Sequence, residues 1–309
     1  MRAMFLAALA VLLLVAAPAV LAADGAPAVS WWLWPIALFA VTFLLGIVAV
    51  LAGVGGGVLF VPIVAGFFPF HLDFVRGTGL LLALSGALSA GPNLLRIGMA
   101  NLRLAMPFAL VGSITSIVGA LVGLTLPTSA VQTALGATIL VIVGFMLRAR
   151  RSEYPDVARS DTIGDLLRLH GVFHDAATGR TVDWRVHRTP AGLVAFAGIG
   201  LLAGMFGLGA GWANVPVLNL LLGAPLKVSV ATSGLMLSII DTSAAWIYIH
   251  RGAVLPMLTV PSIVGVMLGA RIGAKMLRVT RAERIRLIVI ALLAAAGARA
   301  LLRGLAIWT

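Results

Sequence analysis

Apolar positions run nearly unbroken along this chain, and polar positions gather in a few short stretches that cut the apolar run into segments. Continuous apolar runs of about 16–24 residues predict helices of membrane-spanning length. They cover roughly 35–51, 78–95, 104–125, 130–147, 191–206, 229–249, 255–277 and 285–303. Two further apolar limbs, 58–70 and 212–222, are too short as helices for a ~30 Å hydrocarbon core. Each short limb follows a run in which glycine alternates with other residues and proline closes the run. The first reads Gly53-Val54-Gly55-Gly56-Gly57 and continues to Val61-Pro62; the second reads Gly207-Leu208-Gly209-Ala210-Gly211-Trp212-Ala213-Asn214-Val215-Pro216. In a helix, glycine costs about 1 kcal/mol against alanine and proline about 3. Helical hydrogen bonding is therefore expected to break at both places. Freed backbone at membrane depth is tolerated where it is buried in protein or lines a polar cavity.

The two broken stretches belong to an internal repeat. A shift of 154 positions aligns the halves without a gap over about 75 residues. It places Gly46, Gly55, Gly57, Pro62, Thr78, Pro107 and Gly119 on Gly200, Gly209, Gly211, Pro216, Thr232, Pro261 and Gly273. Chance alignment of apolar sequence matches leucine with leucine, not glycines, prolines and hydroxyls in register. Paired interrupted segments in duplicated halves point to the binding site of a secondary transporter. The expected fold is an all-α polytopic membrane protein of two homologous halves, with broken or half-helices in each. Four units follow: 1–22, a signal peptide or first hydrophobic segment; 35–147, the first transmembrane repeat; 148–190, a polar insert; and 191–303, the second repeat. Arg96, Arg103, Arg148–Arg151, Lys227 and the run from Lys275 to Arg286 fall on one side only if the halves are inverted, so inverted repeats with a cytoplasmic insert are expected. Within the insert a short helix at 161–169 and a hairpin near 177–180 are expected.

Composition sharpens this picture at three points. The 309 residues are 61% hydrophobic and 10% charged, which no soluble domain of this size matches. The net charge of +12 is spread beside the apolar segments, as in the positive-inside pattern of membrane proteins, and no nucleic-acid face is expected. The absence of cysteine removes disulfides, thiolate catalysis and cysteine-ligated metals. There is no His-Glu-x-x-His and no Gly-x-Gly-Asp, so an intramembrane enzyme is not expected. No cofactor or metal is expected; His170, His174, Asp175 and His187 in the insert match no zinc spacing and read as surface residues.

Paired Gly-x-Gly-x-Gly elements leading to Val-Pro, the Thr78-Gly79 and Thr232-Ser233 elements after the short limbs, and the basic insert between halves resemble the TauE/SafE permeases. The resemblance covers about 36–303 apart from the insert. It implies a carrier of small sulfur-containing anions such as sulfite, sulfonates or sulfoacetate, in a bacterial-type inner membrane. An anion channel and a non-transporting membrane scaffold stay open as alternatives, and so does a homo-oligomer.

The chemistry of the residues suits an anionic solute. A half-helix that starts after a glycine run presents unpaired N–H groups and a positive dipole end. The candidate substrate-binding residues are Gly53, Gly55, Gly57, Pro62 and Thr78 in the first half, and Gly207, Gly209, Gly211, Asn214, Pro216, Thr232 and Ser233 in the second. The glycines also suit close helix packing, and the hydroxyls also suit bonds to helical carbonyls. Asn214 stands where the first copy has Phe60, so an asymmetric site is expected. Asp241 is the one carboxylate well inside a predicted membrane helix. Such a charge is costly and usually functional, so it is expected either to couple protons or to form a buried ion pair with Arg271.

Overall fold

The computed structural model describes residues 32–52, 55–96, 100–148, 154–155, 157, 159–175, 179–276 and 282–305. The segment 1–22, Gly53 and the 176–178 turn lie outside them. The first half contains α1 (Leu33–Ala52), α2 (Gly56–Phe67), α3 (Leu72–Arg96), α4 (Leu102–Thr125) and α5 (Thr128–Arg148). The insert follows, with α6 (Thr162–Leu166), β1 (His170–Asp175) and β2 (Arg180–Arg185). The second half contains α7 (Thr189–Phe206), α8 (Gly211–Pro216) leading into a π-helical turn (Val217–Leu221), α9 (Leu226–His250), α10 (Pro256–Met276) and α11 (Ala282–Gly304). A shift of 154 carries each helix of the first half onto its counterpart, and α3 lands on the bounds of α9. The protein is therefore an all-α polytopic membrane protein, and among the described residues five helices are long and apolar enough to span a bilayer.

Its exterior confirms the environment. Ile114, Val141, Trp246 and Val260 are 65%, 69%, 66% and 58% exposed, an apolar outer surface that only lipid solvates well. With lipid outside, apolar burial adds little to helix association, and close backbone packing takes over. Glycines provide it. A Cβ on Gly46 of α1 would lie 2.6 Å from the Val266 carbonyl oxygen of α10, and Gly265 and Gly269 of α10 press on Phe39 and Phe43 of α1. In the equivalent pair, Gly119 of α4 presses on Leu201 of α7, and Gly200 and Gly204 of α7 press on Gly112 and Ser116 of α4. Both pairs join one half to the other, so neither half is a separate body.

The register of these contacts gives directions. Numbers rise together along α1 and α10, where Gly265 meets Phe39 and Gly269 meets Phe43, so this pair is parallel. Homologous helices run the other way. Gly136 of α5 meets Gly297 and Leu301 of α11, while Thr133 meets Gly304. Along α3 and its counterpart α9, Gly77 packs on Ala253 just beyond the end of α9, whereas Ala83 shares a contact with Asp241 farther back.

The short limbs differ from each other although both carry the repeated proline. Pro62 sits inside a regular α2, buried among Leu59, Phe60 and Val61. In the second limb the α-helix ends at Pro216 and the next turn widens, with the Leu222 N–H reaching the Val217 carbonyl at 3.0 Å. Proline lacks the N–H that would continue the ladder. Asn219 holds the wider turn by donating from its side chain to the Ala224 carbonyl (2.9 Å).

The insert forms the expected short helix and antiparallel hairpin, and it is docked on the second half. Trp184, Phe173, Leu169 and Val186 enter one core with Phe196, Leu218 and Leu222. The His187 N–H bonds the Leu222 carbonyl (3.0 Å), and the Asp161 carboxylate accepts from the Thr189 hydroxyl (2.7 Å) and N–H (3.2 Å) at the start of α7. His170 and His174 are exposed on β1 as expected, while His187 packs against Gly223 with its Nδ1 buried.

Candidate functional site

The two glycine breaks meet. α7 ends at Gly207, whose φ of +69° is the left-handed turn in which glycine commonly terminates a helix. Gly209 repeats that geometry at φ +70°. The chain re-enters helix at Gly211, and a Cβ built there would lie 3.8 Å from the Gly55 Cα at the mouth of α2. A Cβ on Gly57 would lie 2.8 Å from both the Gly79 and the Leu208 carbonyl oxygens, and Gly79 in turn packs on the Gly207 carbonyl. Gly55, Gly57, Gly207, Gly209 and Gly211 thus form one crossing of four backbone segments. Close backbone packing uses the same glycines that were expected at the site.

Asp241 of α9 reaches this crossing. Its carboxylate is completely buried; Oδ1 accepts from the Ala210 N–H at 3.3 Å, while Oδ2 has no hydrogen-bond partner among the described residues. A Cβ on Gly209 would lie 3.0 Å from that Oδ2. The expected partner Arg271 is exposed on α10, and among the described residues it makes no ion pair with Asp241. The reason is register: α10 turns Arg271 outward and gives its inner face to Gly265 and Gly269, which must meet α1. The backbone amide freed by the glycine break serves the carboxylate instead. In the second half, then, the place where an external anion was expected is held by the protein's own carboxyl group.

Asn214 lies one helical turn beyond Gly211. It is fully buried, and neither its amide nitrogen nor its amide oxygen has a partner among the described residues. The Trp212 Nε1 is likewise unpartnered. Buried polar groups are ordinarily paired, and each exception asks for an explanation. Pro62 and Pro216 are buried in the limbs behind the crossing.

The threonines bond across to neighbouring elements. The Thr78 hydroxyl bonds the Thr259 hydroxyl of α10 (2.8 Å), and the Thr232 hydroxyl accepts from the Asn101 N–H at the start of α4 (3.1 Å). Each ties a core helix to the other half rather than bonding its own helix. Ser233 beside Thr232 is buried. Four nearby hydroxyls bond back to their own helices: Ser85 donates to the Leu82 carbonyl, Ser238 to Leu235, Thr242 to Ser238 and Ser243 to Ile239.

One charged side chain near the crossing is buried. Arg76, which looks like part of a water-facing turn with His71 and Asp73, is 1% exposed. Its guanidinium donates to the Met205 carbonyl (2.8 Å), to the Gly123 carbonyl (3.1 Å) and to Asp73, and it lies over the Tyr248 ring. Those carbonyls are at the C-terminal ends of α7 and α4, the negative ends of two helix dipoles. The backbone of Arg76 also packs directly on Gly207. The i, i+3 spacing from Asp73 was the only sequence signal, because the equivalent position in the second half is Val230.

Comparison with known proteins agrees with this architecture. The chain is 24% identical over 268 residues to the "Probable membrane transporter protein YunE" of Bacillus subtilis (strain 168), covering 84% of this chain and 94% of that protein. No solved structure matches the chain. A family model described as "Sulfite exporter TauE/SafE" matches residues 38–300, which takes in both glycine breaks, their crossing and Asp241. The chain therefore belongs to the TauE/SafE family of membrane transporters, and it is not an enzyme.

Proposed function

We propose that the protein is a secondary carrier of a small sulfur-containing oxyanion, of sulfite, sulfonate or sulfoacetate type, in a bacterial inner membrane. The solute is held at the crossing of the two glycine breaks, and Asp241 carries the coupling proton. One observation bears most of this reading: a buried carboxylate without an ion pair holds a freed amide at the crossing, with its second oxygen unpartnered. Ionised, that carboxylate repels an anion and occupies the amide the anion needs. Protonated, it removes the repulsion and gains a donor. Binding of anion and proton is thus linked in one place. The unpartnered Asn214 amide supplies a further donor. Transport needs the crossing to open to each side in turn. The antiparallel register of the homologous pairs α3/α9 and α5/α11 favours inverted halves, the arrangement in which one half rocks against the other.

The test is uptake of labelled sulfoacetate into proteoliposomes. Saturable uptake is expected, with accumulation of up to about tenfold for one-to-one symport down a gradient of one pH unit. Asp241→Asn is expected to stay folded and to move solute downhill while losing the response to the proton gradient. An Asp241→Asn protein that still accumulates solute in response to that gradient contradicts the coupling role.

A further inference from the structure

A cavity of about 300 Å³ opens where the first turn of α3, the end of α4 and the turn between α9 and α10 converge. His71, Asp73, Leu121, Thr125, Arg251 and Ala253 line it. Its charges are unevenly engaged. Asp73 is shared: one oxygen bonds the buried Arg76 guanidinium, and the other lies 3.5 Å from His71 Nδ1. Arg251 is exposed and makes no ion pair among the described residues. Behind Asp73, the Nε of Arg76 is buried without a partner, although the guanidinium is otherwise bonded. Arg251 and Asp73 therefore line one space large enough for a small oxyanion, with Leu121 and Leu124 also in its wall, while Arg76 holds Asp73 from behind that lining. The Arg76 backbone meets Gly207, so Arg76 connects the cavity-lining Asp73 to the crossing.

We propose that this cavity is a recognition vestibule for the transported oxyanion, in which Arg251 attracts the anion and the anion displaces Asp73 from Arg76. Asp73 is a tethered stand-in for the solute: it keeps Arg76 paired while the vestibule is empty and yields to a ligand of the same charge. Guanidinium groups suit the task because their planar donor set matches oxyanion geometry. The inference rests on the carrier reading for the identity of the anion, and it adds a second site outside the crossing.

The natural absence of cysteine makes a direct test simple. Thr125 lines the cavity and its hydroxyl bonds only the Val122 carbonyl of its own helix (2.9 Å), so Thr125→Cys is a mild reporter. Full-length protein in lipid nanodiscs is labelled with an anionic (sulfonatoethyl) and a cationic (trimethylammonioethyl) methanethiosulfonate, each rate normalised to the same reagent's reaction with a free thiol. The anionic reagent is expected to react about tenfold faster, as positive potential concentrates anions in a cleft. Sulfoacetate is expected to protect the cysteine saturably, with the half-protecting concentration raised about tenfold by Arg251→Gln and lowered by Asp73→Asn, in keeping with a ~1.4 kcal/mol change per decade. Equal normalised rates with no protection overturn the vestibule. Proteoliposome uptake by the wild-type chain then separates the two ideas: uptake without protection leaves the carrier standing and removes the vestibule, whereas protection without uptake keeps the vestibule and removes the carrier.

Discussion

Gly209→Leu is expected to abolish transport and to leave little folded protein in the membrane. Two independent costs meet at this residue. Its φ of +70° is left-handed, which costs an L-residue about 1–2 kcal/mol. A Cβ there would lie 2.7 Å from the Ala83 Cβ and 3.0 Å from Asp241 Oδ2, so even alanine overpacks the crossing by about 1–3 kcal/mol. Leucine adds three more carbons where no space exists. Gly209→Ala is therefore expected to lower stability by about 2–5 kcal/mol. The steric part is recoverable: Gly209→Ala combined with Ala83→Gly should be more stable than the sum of the single changes predicts, because the two positions touch. Gly198 is the control, since nothing lies within 4 Å of a Cβ built there. Size-exclusion profiles and thermal melts of Gly209→Leu, Gly209→Ala, the double variant and Gly198→Leu check the series. A Gly209→Leu protein as stable as Gly198→Leu contradicts the packed crossing.

Arg76→Met is expected to have the second largest effect. The guanidinium satisfies the carbonyl ends of α4 and α7 and pairs with Asp73, all from a position 1% exposed. Methionine fills much of the volume but leaves those carbonyls without a donor and Asp73 without its cation. Removing one partner of a buried charged network costs about 3–5 kcal/mol. Arg76→Lys should recover part of the loss, because one ammonium cannot serve three acceptors with the geometry of a guanidinium. Asp73→Asn should cost much less, because that carboxylate's side chain is 30% exposed. Thermal melts in one detergent rank the three variants. The order Asp73→Asn, Arg76→Lys, Arg76→Met in rising damage is the expected result; equal small losses would show that Arg76 does not hold the ends of α4 and α7 together.

Much of this architecture was legible in sequence because its physics is local or repeated. Glycine and proline in apolar surroundings break helices wherever they stand, so both interruptions could be placed to within a few residues. The 154-residue shift then set every helix against its counterpart. Asp241 stood out because a lone carboxylate in an apolar helix has few benign explanations. What the sequence hid depends on which faces meet. Arg271 looked available to Asp241, yet α10 spends its inner face on glycine contacts with α1 and turns the arginine outward. Thr78 and Thr232 stand out through the repeat, but their bonds to Thr259 and Asn101 cross between halves, and no pattern within one half encodes that. Arg76 was missed because burial of an arginine depends on two helix ends arriving from 47 and 129 residues away. Proline gave one answer at Pro62 and another at Pro216 because the Asn219 side chain supports a wider turn after the second, while Phe60 and its neighbours pack a regular helix around the first.

The central claim is that the crossing of the two glycine breaks holds the transported anion. Gly55 and Gly211 test it best, because Gly55 accepts a methyl freely and Gly211 accepts one with a small shift of the flexible Leu237 side chain. Gly55 has φ −64° and ψ 144°, and a Cβ there would lie 4.0 Å from the Gly211 Cα. A Cβ on Gly211 would lie 3.3 Å from the Leu237 side chain. The decisive measurement is the concentration dependence of sulfoacetate uptake by proteoliposomes containing wild-type, Gly55→Ala or Gly211→Ala protein, each shown by thermal melt to be folded. The account predicts saturable wild-type uptake and a KM raised about tenfold, or some 1.4 kcal/mol, in both variants. Saturable uptake with an unchanged KM in both folded variants would place the anion elsewhere and contradict the account.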